Sequence, residues 1–177
     1  FTFTVYDARV DLLRVFEISA RKDNRKEILN YLQNVKNHGD SLVGFNNLGF
    51  DYPVLHFLIN NPDATCEQLY LEGQRIINSM KDDRFGKTIP KDEMFVTQVD
   101  LYKIHHFDNQ AKATSLKILK FNMRRPNLMD FPFKVDSPLT YAQMDMIIEY
   151  NIDDVLATLD FFNQSESAIN LRSELSL

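Results

Sequence analysis

The sequence predicts an α/β layered domain with an antiparallel hairpin at one side. Three observations carry that prediction. Strand-like runs alternate with helix-like runs along the chain, an order that packs helices on a sheet. The first two strand-like runs are separated by one short polar stretch, as in a hairpin. The 177 residues are 44% hydrophobic and 25% charged, ordinary for one globular domain with a sizeable core.

The elements follow in order. "FTFTVYD" and "LLRVFEIS" are rich in β-formers and flank the polar "ARVD". "RKDNRKEILNYLQNVKN" places Ile28, Leu29, Leu32 and Val35 at helical spacing. "SLVGF" is a short apolar run and reads as a buried strand. "YPVLHFLINN" reads as a helix that tolerates Pro53 in its first turn, and "DATCEQLYLEGQRIINSM" as another. "KDDRFGKTIPKDE" is a polar loop, "MFVTQVDLY" returns to strand pattern, and "HHFDNQAKA" is again a loop. "TSLKILKFNM" reads as a short helix capped by Thr114 or Ser115. "RRPNLMDFPFKVDSPL" carries three prolines and is irregular. "TYAQMDMIIEYNIDDVLATLDFFNQ" is a long helix starting near Thr140, and "SAINLRSELSL" is helical in pattern without a clear stop.

Charge and composition narrow the function classes. A net charge of −5 argues against a sequence-indifferent basic coat for nucleic acid. It leaves room for an enzyme that meets phosphates through metal ions held by carboxylates. The single cysteine, Cys66, excludes an internal disulfide framework and reads as a small packed side chain in a reducing, cytoplasmic compartment. No apolar run approaches the length of a membrane span, so no membrane partner is expected. The chain opens on Phe1 rather than Met, and its last stretch continues as helix. It is therefore expected to be a piece of a longer protein, with 164–177 as a helix leading to a further domain.

Two stretches carry the chemistry. "GFNNLGFDYPVL" (44–55) begins where a strand ends, and sites in layered α/β sheets form beyond the carboxyl ends of strands. It sets the amides Asn46 and Asn47 before Phe50 and a lone acid, Asp51. On the last long helix, Tyr150 and Asp154 lie four apart and project from one face. An acid beside that helix's apolar stripe is costly to bury unless paired or bound to a cation. Alone, Tyr-x-x-x-Asp reads as a half-buried tyrosine and an exposed charge, and Asn-x-x-x-Phe-Asp reads as helix capping. Both together, in this order, are far less common.

Gly44-Phe45-Asn46, then Phe50-Asp51, Pro53 and Leu55, resembles the second exonuclease motif of family B DNA polymerases. Tyr150 to Asp154 resembles the third motif, in the tyrosine-bearing subgroup of the DEDD exonuclease superfamily. "VDLYKIHH" followed by "TSLKILKF" is similar to the strand and short helix of those domains, so the likeness covers about residues 1 to 163. It is nearest in flavour to the proofreading domain of a bacteriophage or viral replicative polymerase. It implies a ribonuclease H-like mixed sheet flanked by helices. It also implies 3′–5′ hydrolysis of terminal phosphodiesters in single-stranded DNA, and a polymerase domain in the same parent chain. Two divalent cations, Mg²⁺ or Mn²⁺, are implied as cofactors, since hard cations take oxygen ligands. Asp154 is then a metal ligand, Asp51 holds the second ion through water, and Tyr150 orients the attacking water. Asn46 and Phe50 meet the 3′-terminal nucleotides, Phe50 by packing on sugar or base. Asn47 fits the related Asn-x-x-aromatic-Asp spacing and can replace Asn46.

The family's first motif, Asp-x-Glu on the first strand, is absent. Asp7 and Glu17 have the wrong spacing. The expectation is that the recorded chain lacks this first strand and is inactive in isolation. The alternatives are an inactive exonuclease-fold module that binds nucleic acid or serves as a scaffold, a stand-alone DNA or RNA exonuclease, and a generic α/β domain with chance motif matches.

Other residues read less sharply. Asp100 either faces the site or caps a turn. His105 and His106 read as a solvated or nucleic-acid-contacting loop. Lys112, Lys117 and Lys120 read as a solvated helix face rather than phosphate contacts. Arg124 and Arg125 either steer DNA or lie in a surface loop, and Asp153 reads as surface.

Overall fold

The computed structural model describes residues 1–82, 88–106, 114–126, 133 and 138–175. They form a mixed α/β protein that divides into two compact units. The first comprises Phe1 and Phe16–Lys103, the second Thr2–Val15 and Ile104–Leu177.

The expected hairpin is present: β1 (Thr2–Asp7) pairs with β2 (Leu12–Glu17). Asp11 takes a positive φ of 50° in the turn, a conformation that aspartate tolerates better than most residues. The next helix starts later than its periodicity suggests. α1 spans Arg25–His38, because residues before it are spent on an antiparallel bridge between Ile18 and Asp23. Asn24 stands at the helix start, but its Oδ1 accepts from the Glu17 N–H at 3.1 Å instead of capping the helix.

β3 (Ser41–Gly44) and β4 (Thr97–Asp100) form a parallel pair, from Ser41 opposite Thr97 to Gly44 opposite Asp100. Parallel strands need a crossover. Here it is made by α2 (Asp51–Asn60) and α3 (Cys66–Asp82), which pack on each other. Apolar side chains of α1, α2 and α3 fill the interior of this unit; Ile28, Leu32 and Leu58 are fully buried. Cys66 is exposed at the first turn of α3, not a packed side chain.

β4 is shorter than its pattern implies, and α4 (Leu101–His106) follows it directly. The cause is Asp100, whose Oδ1 accepts from the N–H groups of Tyr102 at 3.0 Å and Lys103 at 3.4 Å. An aspartate in that role starts a helix, so "LY" turns helical despite its β-propensity.

In the second unit, α5 (Leu116–Asn122) is capped by Ser115, whose side chain accepts from the Ile118 N–H. α6 (Tyr141–Gln164) opens with a capping box between Thr140 and Gln143. α6 packs against β1 and α5, and stops at Ser165 before α7 (Glu166–Leu175). No described helix is long and apolar enough to cross a membrane.

Candidate functional site

In the first unit, residues 44–51 fold around one buried acid. Asp100, 5% exposed, sits opposite Gly44 at the end of the parallel pair. Its Oδ1 accepts from the Asn46 N–H at 2.9 Å and its Oδ2 from the Leu48 N–H at 3.2 Å. With Tyr102 and Lys103, four backbone donors converge on this carboxylate. Burial pushes its pKa above the usual carboxylate range, and the backbone N–H groups oppose that rise. Asp100 is thus a capping acid that shapes the loop.

The glycines are close-approach positions. A Cβ on Gly44 would lie 2.6 Å from the Asn47 Cβ, and one on Gly49 would lie 2.7 Å from the Asn46 Oδ1. Asn46 takes a left-handed φ of 57° and is exposed. Asn47 is buried, and its Nδ2 donates to Gln98 Oε1 at 2.9 Å. The two adjacent amides therefore differ: Asn47 is built into the fold, and Asn46 is exposed with its amide oxygen against Gly49. Phe50 is half-buried with its ring against Gly73 of α3. Asp51 is exposed in the first turn of α2, and Tyr52 beside it is buried, its hydroxyl accepting from the Phe95 N–H at 2.8 Å. Sequence reasoning missed Gln98, whose only signal is a polar residue inside a strand.

In the second unit, the four-residue spacing on α6 brings Tyr150 and Asp154 near each other, and the Tyr150 side chain is the weakest of the influences that ease the charge of the Asp154 carboxyl. A third group joins them. Lys120 of α5 is 2% exposed, and its Nζ lies 2.5 Å from Asp154 Oδ1 and 2.6 Å from Asp153 Oδ2. The same Nζ stands 5.5 Å from the centroid of the Tyr150 ring. Arg125 donates to the other Asp153 oxygen at 3.1 Å and also reaches Asp160. Lys120 is therefore not on a solvated helix face, and Asp153 is not a surface charge. Both expectations fail because pairing offsets the cost of burial.

The charges respond accordingly. Burial raises Asp153, but hydrogen bonds from Lys120 and Arg125 outweigh it and hold the carboxyl below its usual range. At Asp154 burial wins over Lys120 and holds the carboxyl above that range. Burial lowers Lys120, and its two carboxylate partners more than reverse this, raising it.

His105 lies on α4, not in a loop. Its Nε2 meets Ser165 Oγ at 2.8 Å, and Ser165 donates onward to the Phe161 carbonyl at 2.6 Å. The histidine nitrogen must then carry the proton. Of the other basic residues, Lys117 and Arg124 are exposed, and Lys112 lies outside the described residues.

These carboxylates are oxygen donors of the type a hard divalent cation takes. Their number is short. Among the described residues, no group of three or more His, Cys, Asp or Glu side chains is placed to hold a metal ion. Both Asp153 oxygens and one Asp154 oxygen are already engaged by cationic side chains. The described residues do not by themselves make a metal centre.

No protein-family model, curated protein or solved structure matches the chain.

Proposed function

We propose that this chain is the 3′–5′ exonuclease module of a DNA polymerase, on a ribonuclease H-like fold, acting on the 3′ end of single-stranded DNA. The observation that carries the reading is the Tyr150–Asp154 pair on one face of α6. A phenol near a half-buried carboxylate can orient a water, and the carboxylate can accept that water's proton or hold a cation. Further support comes from the exposed Asn46 and Asp51 beyond the carboxyl end of β3. On α5, Phe121 is 68% and Ile118 51% exposed beside the exposed Lys117, a combination suited to stacked bases and their phosphates. Of the two amides, Asn46 is the exposed one. Two divalent cations, Mg²⁺ or Mn²⁺, belong to this reading, with Asp51 and Asp154 as expected ligands alongside further oxygen donors. The natural compartment is the cytoplasm, that of the host if the protein is phage-encoded.

A second reading, an inactive nucleic-acid-binding module, is favoured by the hold of Lys120 on Asp154. The deciding experiment is digestion of a 3′-labelled single-stranded oligonucleotide by the natural protein that carries this chain, with Mg²⁺ or Mn²⁺. Stepwise shortening from the 3′ end is expected, falling on the order of 100-fold or more in Asp154→Ala and Asp51→Ala. Binding of the oligonucleotide without shortening would establish the second reading instead.

A further inference from the structure

α5 is turned inside out relative to an ordinary amphipathic helix. Its lysine is 2% exposed while its phenylalanine is 68% exposed. Lysine is almost never fully buried unless paired, and here the pairing is double. The Lys120 ammonium bridges Asp153 Oδ2 at 2.6 Å and Asp154 Oδ1 at 2.5 Å. Consecutive residues on a helix point in different directions, yet one ammonium contacts an oxygen of each carboxylate. Arg125 binds only one of the two and reaches on to Asp160. Lys120 is therefore the group that joins the pair.

We propose that Lys120 is a tethered cation that does for the Asp153–Asp154 pair what a divalent ion would do. It neutralises the pair, fixes the Asp154 carboxylate beside Tyr150, and competes with any divalent ion for Asp154 Oδ1. It is a positioning residue, acting through Asp154. The inference goes beyond the exonuclease reading and does not rest on it, since the geometry is the same for an active or a binding module.

The test is Lys120→Met in the full chain, which keeps the apolar stem and removes the charge. Thermal melting is followed in EDTA and in Mg²⁺, and Mn²⁺ binding is measured by the loss of its free electron-spin-resonance signal. The variant is expected to melt lower in EDTA, to recover part of the loss in Mg²⁺, and to bind Mn²⁺ on the order of 10-fold more tightly than the unaltered chain. A lysine with a merely structural role would lower the melting temperature equally in both conditions and leave Mn²⁺ affinity unchanged, and that result overturns the proposal. Should Lys120→Met fail to fold, Asp153→Asn is added to remove one of the two carboxylates that Lys120 had bridged. The double variant is expected to bind Mn²⁺ more tightly than Asp153→Asn alone, and equal affinity overturns the proposal. Failure of the exonuclease reading shows separately, as an oligonucleotide left intact by the natural protein.

Discussion

The two units are held together by different means. The first is filled by aliphatic side chains of α1, α2 and α3, with Ile28, Leu32 and Leu58 fully buried. In the second, Ala157 is the only buried apolar side chain among the described residues, alongside Thr4, Asp7, Lys120 and Ser165. One acid site from each differs in the same sense, although Glu17 of the first unit is also held by a side-chain cation, Arg21. Asp100 is satisfied by backbone N–H groups, fixed in place by the strand and helix that carry them. Asp153 and Asp154 are satisfied by the movable side chains of Lys120 and Arg125. A carboxylate held by backbone shapes a loop. One held by side-chain cations can exchange its partner.

Four stability predictions and one titration sharpen that contrast. The largest effect is expected from Lys120→Met, which leaves Asp154 without its cation while Asp153 keeps Arg125, and should cost about 3–5 kcal/mol in urea unfolding. A loss under 1 kcal/mol would mean that the ion pairs are solvated and the contrast false. Asp100→Ala should cost about 3 kcal/mol, because several N–H groups lose a charged acceptor at once. Neither loss should depend much on salt, since Asp100 and Lys120 are both buried and salt screens buried pairs weakly. Gly44→Ala should cost about 1–3 kcal/mol by forcing Asn47 from its place. Unchanged stability there would show that the loop gives way.

The difference between what was and was not legible in sequence follows the same division. The hairpin, the α1 periodicity and the long α6 behind Thr140 could be read because each is a local pattern. α4 could not, because it depends on Asp100 turning its carboxylate onto the Tyr102 and Lys103 N–H groups against the β-propensity around it. Nor could the roles of Asn46 and Asn47. Adjacent amides look alike until one meets Gln98 from a strand far along the chain. Lys120 was read as solvated because the partners that make its burial affordable lie on another helix. The Tyr150–Asp154 pair was visible from spacing alone, but the lysine that joins it was not.

A smaller effect of opposite sign is expected at Gly73, inside α3. A Cβ there would meet the Phe50 ring at 3.7 Å, an ordinary contact, so Gly73→Ala should stabilise the chain by about 0.5–1 kcal/mol. Destabilisation would mean that Phe50 packs more tightly on α3 than described. The smallest signal is in acid titration, followed by the carboxyl carbon resonances. Asp153 has a depressed folded pKa, so its contribution is present above the unfolded value and is lost as pH falls through the folded one. Asp100 has a raised folded pKa, so its contribution is present below the unfolded value and is lost as pH rises through the folded one. Titration of both acids on the same side of the unfolded value would remove the distinction between Asp100 and Asp153; Asp154, though also held by Lys120, is raised by burial like Asp100.

The parallel pairing of β3 with β4 has a consequence in time. Ser41 cannot find Thr97 until α2, α3 and the segment after them have left the ribosome. Pairings so distant in sequence fold slowly, because chain entropy is lost before contacts reward it. Until β4 is made, β3 has no strand partner, so the β3–β4 pairing is expected to form late in its unit. A substitution that delays β4 should show first as aggregation during synthesis, before any loss of stability in the finished protein.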